Sequence, residues 1–152
     1  MSNVFTSAGT QYAISAGPPA TYDSVGFAAL TYTDVAEVTD MGEYGPTYEV
    51  VTHNPLSTRR TVKRKGTVND GALTMQLGRD PTDAGQTLII DGVDGTNLDV
   101  VYSHKITLQD GTVQYVTGQI YSYTTNISTI NTITSASVTV ELDNQIIEVA
   151  AP

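Results

Sequence analysis

The stretch LDVVYSHKITLQDGTVQYVTGQIYSY, Leu98 to Tyr123, decides the fold class. Leu98, Val100, Tyr102, His104, Ile106 and Leu108 recur at every second residue, the period that turns one face of a β-strand toward a core. Asp110 and Gly111 supply a two-residue turn, and the return arm is again rich in Val, Ile and Tyr. This is a β-hairpin, and the pattern continues on both sides of it. SVTVELDNQIIEV puts Val138, Val140 and Leu142 on one face, turns at Asp143 and Asn144, and ends in another strand. GALTMQLG alternates Leu73, Met75 and Leu77 with Thr74 and Gln76, and DVAEVTDMG and TYEVVTH read as two further strands.

Helical signals are few. In RDPTDAGQTLIIDG, Asp80 reads as the N-cap, Pro81 fits the first helical position and Asp83 lies near the positive end of the dipole. Gly85 weakens the middle of that helix, and Gly92 or Gly95 ends it. TYDSVGFAALTY is expected to form a short helix, capped by Thr21 or Asp23, with Val25, Phe27, Ala28 and Leu30 facing inward. Residues 1–19 are small, polar and Gly-containing, with one candidate strand, TQYAIS, and read as an N-terminal arm. The expected fold is mainly β: about eight strands in an antiparallel sandwich or barrel with one flanking α-helix, a single domain over residues 20–152.

The 152 residues are enough to bury one core without staples, and none is a cysteine, so disulfide and thiolate chemistry are absent. The N-terminus lacks the basic start and apolar run of a signal peptide, and no stretch reaches the length of a membrane span. A soluble protein made in the cytoplasm is expected.

Candidate chemistry is sparse. His53 and His104 are far apart and in no ligand spacing; His104 reads as a hydrogen-bonded core residue and His53 as a loop residue. Asp91, Asp94, Asn97 and Asp99 offer oxygen donors, but without EF-hand spacing or its closing Glu they read as a turn-rich helix exit. Asn126 to Ser128 is a formal glycosylation sequon, without meaning in a chain that is not secreted. Gly66, Gly71 and Gly78 punctuate a hairpin, with NDG at Asn69 to Gly71 as its turn, and form no phosphate loop. No catalytic, cofactor or metal site is expected.

One segment stands out against a formal charge of −9. STRRTVKRKG, Ser57 to Gly66, holds Arg59, Arg60, Lys63, Arg64 and Lys65, five of the seven basic residues. No acid falls between Glu49 and Asp70, so this segment carries +5 and the remainder −9 − 5 = −14. A nucleic-acid site would need stacking aromatics that the segment lacks. A solvated loop would normally dilute five like charges. An interface segment, flexible in the monomer and ordered on an acidic neighbour, accounts for both the charge and the near-absence of apolar residues.

The ordered combination of GFAALTYTDVAEVTDMGEYG with YEVVTHNPLSTRRTVKRKGTVNDGALTMQLGRDPTDAGQ resembles the tail tube (major tail) proteins of long, non-contractile-tailed bacteriophages. That family is similar in fold to contractile-tail tube proteins and to the hemolysin-coregulated tube protein of type VI secretion. The resemblance implies a β-sandwich with a flanking helix, six copies closing into a ring, and rings stacking into a tube through which genome DNA passes at ejection. It also implies a tape measure protein in the lumen during assembly, terminator and distal tail proteins at the tube ends, and a place in the virion after assembly in the host cytoplasm. The loop and arm that order on assembly in such proteins match residues 52–69 and 1–19 here. No immunoglobulin-like domain is expected after Pro152. A tube component of a secretion or gene-transfer particle, a nucleic-acid-binding β-domain and a small hydrolase are the alternatives, the last lacking a convergent site.

Overall fold

The computed structural model describes residues 2–152; Met1, the first residue of the expected arm, lies outside the described residues. Ten strands and two helices follow one another as β1 (Gln11–Ser15), α1 (Ser24–Ala28), β2 (Thr33–Val35), β3 (Val38–Asp40), β4 (Thr47–His53), β5 (Val62–Asn69), β6 (Ala72–Gly78), α2 (Ala84–Val93), β7 (Tyr102–Thr107), β8 (Val113–Asn126), β9 (Ser135–Leu142) and β10 (Ile147–Val149). Eight strands form one antiparallel sheet in the order β2-β1-β7-β8-β9-β6-β3, with β10 also on β8. β4 and β5 form a separate two-stranded ribbon.

The hairpin read from the sequence is β7–β8, paired from Tyr102↔Gly118 to Thr107↔Val113. β8 is 14 residues long and serves both halves of the sheet. Its first part pairs with β7 and β10, and its second part with β9. Between Ile120 and Ser122 the register on β9 shifts, with exposed Tyr121 as the extra residue. Such a bulge bends the strand and lets it pass from one half to the other. β2 and β3 stand at opposite ends of the strand order yet are joined only by Ala36 and Glu37. The sheet therefore folds on itself until its two edges nearly meet, the sandwich expected from the sequence.

The alternation predicted for the core strands is present. Leu73, Met75 and Leu77 of β6 and Val138, Val140 and Leu142 of β9 are buried together with Tyr12, Ile14, Tyr102, Ile106 and Val116. β1, the TQYAIS strand, lies between β2 and β7 inside the sheet rather than along its surface. Leu98 departs from the expected face: it is 73% exposed, because β7 begins only at Tyr102. DVAEVTDMG breaks into β2 and β3, where Glu37 takes a left-handed φ of 67° and turns the chain from one sheet edge to the other.

Both helices differ in detail from expectation. α2 is capped by Asp83, whose side chain accepts from the Gln86 N–H, and not by Asp80. Asp80 and Pro81 belong to a turn in which the Asp80 carboxylate accepts from the Thr82 N–H and hydroxyl. Gly92 is buried inside the helix, which ends on Asp94. Gly85 does more than weaken it: a Cβ there would stand 2.3 Å from the Asp34 carbonyl oxygen, so its absence lets the helix lie directly on β2. In α1, capped by Asp23, Phe27 is buried and stacks on Tyr115. Val25 and Ala28 are exposed and Leu30 half-buried, because five residues present too little surface to bury a whole stripe.

His104 is the core histidine that its position implied. It is 0% exposed; Nδ1 lies 2.6 Å from the Tyr12 hydroxyl and Nε2 3.2 Å from the Gly118 carbonyl. A carbonyl only accepts, so Nε2 carries the proton and Nδ1 accepts from Tyr12. Both nitrogens are satisfied by the neutral ring, and burial lowers its pKa from 6.5 to about 4. The folded state thus refuses a proton that the unfolded chain takes up below 6.5. This contribution to stability is complete above pH 6.5 and is lost as pH falls to 4, in total about 3 kcal/mol. Equilibrium unfolding across that range is expected to show about one proton fewer taken up by His104→Gln than by the parent.

Candidate assembly interface

β4 and β5 pair from Thr47↔Asn69 to His53↔Val62, and the five basic residues sit on this ribbon and its tip. Register shifts between Tyr48 and Val50, where β5 carries one extra residue beside Gly66. A Cβ on Gly66 would approach Val51 Cγ2 to 2.9 Å, so glycine suits the bulge. At the root, the Asn69 carboxamide oxygen accepts from the Gly71 N–H at 2.9 Å, and Gly71 has a φ of 84°, the NDG turn read from the sequence.

Residues 52–69 are therefore not a loop throughout. Only residues 54–61 lack strand structure, and His53 ends β4 rather than lying in a loop. The backbone is paired without a partner; the side chains are what remain uncovered. Every residue of β4 is exposed, including Tyr48, Val50 and Val51, and so is most of β5. Leu56 at the tip is 98% exposed. An isolated two-stranded ribbon is only marginally stable in water, which makes cover from outside the monomer valuable.

Cross-strand pairing distributes the basic residues. Lys65 is opposite Val50 and Lys63 opposite Thr52, on the face that also holds Tyr48, and the Lys65 ammonium lies 4.7 Å from the Tyr48 ring centroid. Arg64 is opposite Val51 on the other face. Arg59, in a left-handed conformation with φ of 59°, and Arg60 belong to the tip. The basic run is thus split over two faces and an end, each combining cations with exposed apolar groups. The charge pattern of Ser57 to Lys65 carries no trace of this apolar half; its sequence signal lies in TYEVVTH, whose apolar residues fall on both faces of one strand.

Other candidate residues serve local structure. The Asp91 carbonyl accepts from the Asn97 side chain at 2.7 Å, and the Asp94 carboxylate accepts from the Thr96 N–H at 3.1 Å, the helix exit anticipated. Among the described residues no three acidic or imidazole side chains come together as a metal site. Asn126 ends β8, and Ser128 has a left-handed φ of 57°.

No family model and no curated protein matches the chain. Solved structures do. A chain of the anti-feeding prophage baseplate, reconstructed with 6-fold symmetry, superposes with a TM-score of 0.74 at 14% identity over 99% of this chain and 98% of that one. A chain of the sheath/tube terminator of the PVC extracellular contractile injection system gives 0.60 at 13% identity over 98% and 100%. The SPP1 tail tube gives 0.58 at 14% identity over 91% and 75%. This chain has the tail-tube fold. In this chain the ribbon of β4 and β5 is a sheet separate from the eight-stranded one, with exposed residues on both of its faces.

Proposed function

We propose that the chain is a structural tail tube subunit: six copies close into a ring, rings stack into a tube, and genome DNA passes through the lumen during ejection. The observation that carries this reading is likeness of fold, over almost the whole of both chains, to the anti-feeding prophage baseplate chain and the sheath/tube terminator chain. Its partners are then further copies of itself, a tape measure protein in the lumen during assembly, and terminator and distal tail proteins at the ends. The role is non-catalytic, in a virion assembled in the host cytoplasm. A body of −14 suits the transit of DNA, because it repels phosphate and offers no adhesive sites.

Electron microscopy of the concentrated purified protein tests this. Hollow filaments of uniform width, or six-fold rings, are expected; a persistent monomer at high concentration would overturn the reading. A second reading, the tube or baseplate of a contractile injection particle without a genome, is favoured by the TM-score of 0.74 to the baseplate chain against 0.58 to the SPP1 tube. Particles from producing cells separate the two: a DNA-filled head on the tail supports the first, a headless sheathed particle the second.

A further inference from the structure

Where the sheet folds on itself, its edge strands β2 and β3 border a cleft of about 570 Å³. Asp34, Glu37 and Asp40 line it with carboxylates, and Val38, Met41 and Leu108 contribute half-buried apolar surface. We propose that this cleft receives the basic β4–β5 ribbon of a second copy, an assignment that rests on the self-assembly reading and names the surface that completes it.

Charge complementarity selects the occupant. Of the two basic residues outside the ribbon, Arg79 donates to the Thr125 hydroxyl and lies over the Tyr123 ring, and Lys105 lies over the Tyr32 ring. The five cations of the ribbon are what the chain has left to meet those acids. They do not meet them within the monomer: β4 and β5 pack chiefly on each other, and Arg64 donates to the adjacent Lys63 carbonyl. Chemistry matches along the contact as well as in sum. The ribbon alternates cations with Val50 and Val51, and the cleft alternates carboxylates with Val38 and Met41. Donor ribbon and receiving cleft are different surfaces, so the contact is head-to-tail, the kind that a closed ring satisfies in every copy.

The absence of cysteine allows a clean test. Val51→Cys and Thr39→Cys are made in separate chains, mixed, and treated with a short bismaleimide. A cross-linked dimer is expected in at least about tenfold higher yield than with Thr87→Cys on α2 as control, and the yield should drop in high salt. Asp34→Lys, Glu37→Lys and Asp40→Lys in the Thr39→Cys chain should abolish it. Adding Lys63→Glu, Arg64→Glu and Lys65→Glu to the Val51→Cys chain should restore it. Equal yield with the α2 control, or a cross-link from Val4→Cys in place of Val51→Cys, would overturn the assignment. Tubes without the β3 cross-link would sink the cleft and leave the tube reading standing; the cross-link without rings or tubes would sink the tube reading and leave the contact between copies standing.

Discussion

Gln86→Met should lower the free energy of unfolding by about 3 kcal/mol, moving the urea midpoint by roughly 1.5 M. Gln86 is 1% exposed and uses every polar position of its side chain. Nε2 donates to the Gly78 carbonyl at 2.9 Å and the Ala36 carbonyl at 3.2 Å; Oε1 accepts from the Asp80 N–H at 3.0 Å and the Tyr123 hydroxyl at 3.2 Å. One side chain thereby joins the link between β2 and β3, the end of β6, the turn before α2, and β8. Methionine keeps the volume but leaves three backbone groups without partners, each costing about 1–3 kcal/mol when buried and not fully additive. Tyr123→Phe removes one of the four bonds and should cost only about 1 kcal/mol. Gln86→Glu should be nearly as damaging as methionine, because an oxygen then faces two carbonyls. A loss below about 1 kcal/mol for methionine would mean that water replaces the side chain.

Reversing Arg59, Arg60, Lys63, Arg64 and Lys65 to Glu should abolish assembly while leaving the monomer folded. The change takes the formal charge from −9 to −9 − 10 = −19 and turns every ribbon contact with an acidic neighbour into repulsion. Such juxtaposed like charges cost several kcal/mol per interface, so the concentration needed for assembly should rise by about a hundredfold or more. The monomer should survive because these side chains are all exposed and belong to a ribbon outside the core cluster. Its melting temperature is expected to stay within a few degrees, as for surface substitutions generally. Sedimentation and electron microscopy read the first effect and circular dichroism the second. Normal polymerisation of the variant would remove the ribbon from the assembly contact.

The parts of the fold legible in sequence were those with short-range periodicity. β6, the β7–β8 hairpin and β9 each bury one face against a common core, so alternation alone reveals them. The helix start was misplaced by three residues because DPTD offers two aspartates in capping position, and only the surroundings choose between them. Asp83 prevails since its carboxylate also accepts from the Ala36 N–H at 3.2 Å, a residue 47 positions away. Gln86, in third helical position after that cap, carries a capping-box signature; nothing local says that its side chain is spent on the β2–β3 link, β6, the Asp80 turn and β8 instead.

The sequence by itself determined the class of fold, the segment of opposite charge and the burial of His104, since each follows from residue type and spacing within a few positions. Tertiary structure alone decided the rest. It paired the segment expected as a loop into a ribbon, divided its cations between two faces and a tip, and brought Asp34, Glu37 and Asp40 to a cleft at the closing edges of the sheet. Those features depend on strand order and register, which arise from contacts between residues far apart in the chain and leave no periodic trace in either partner.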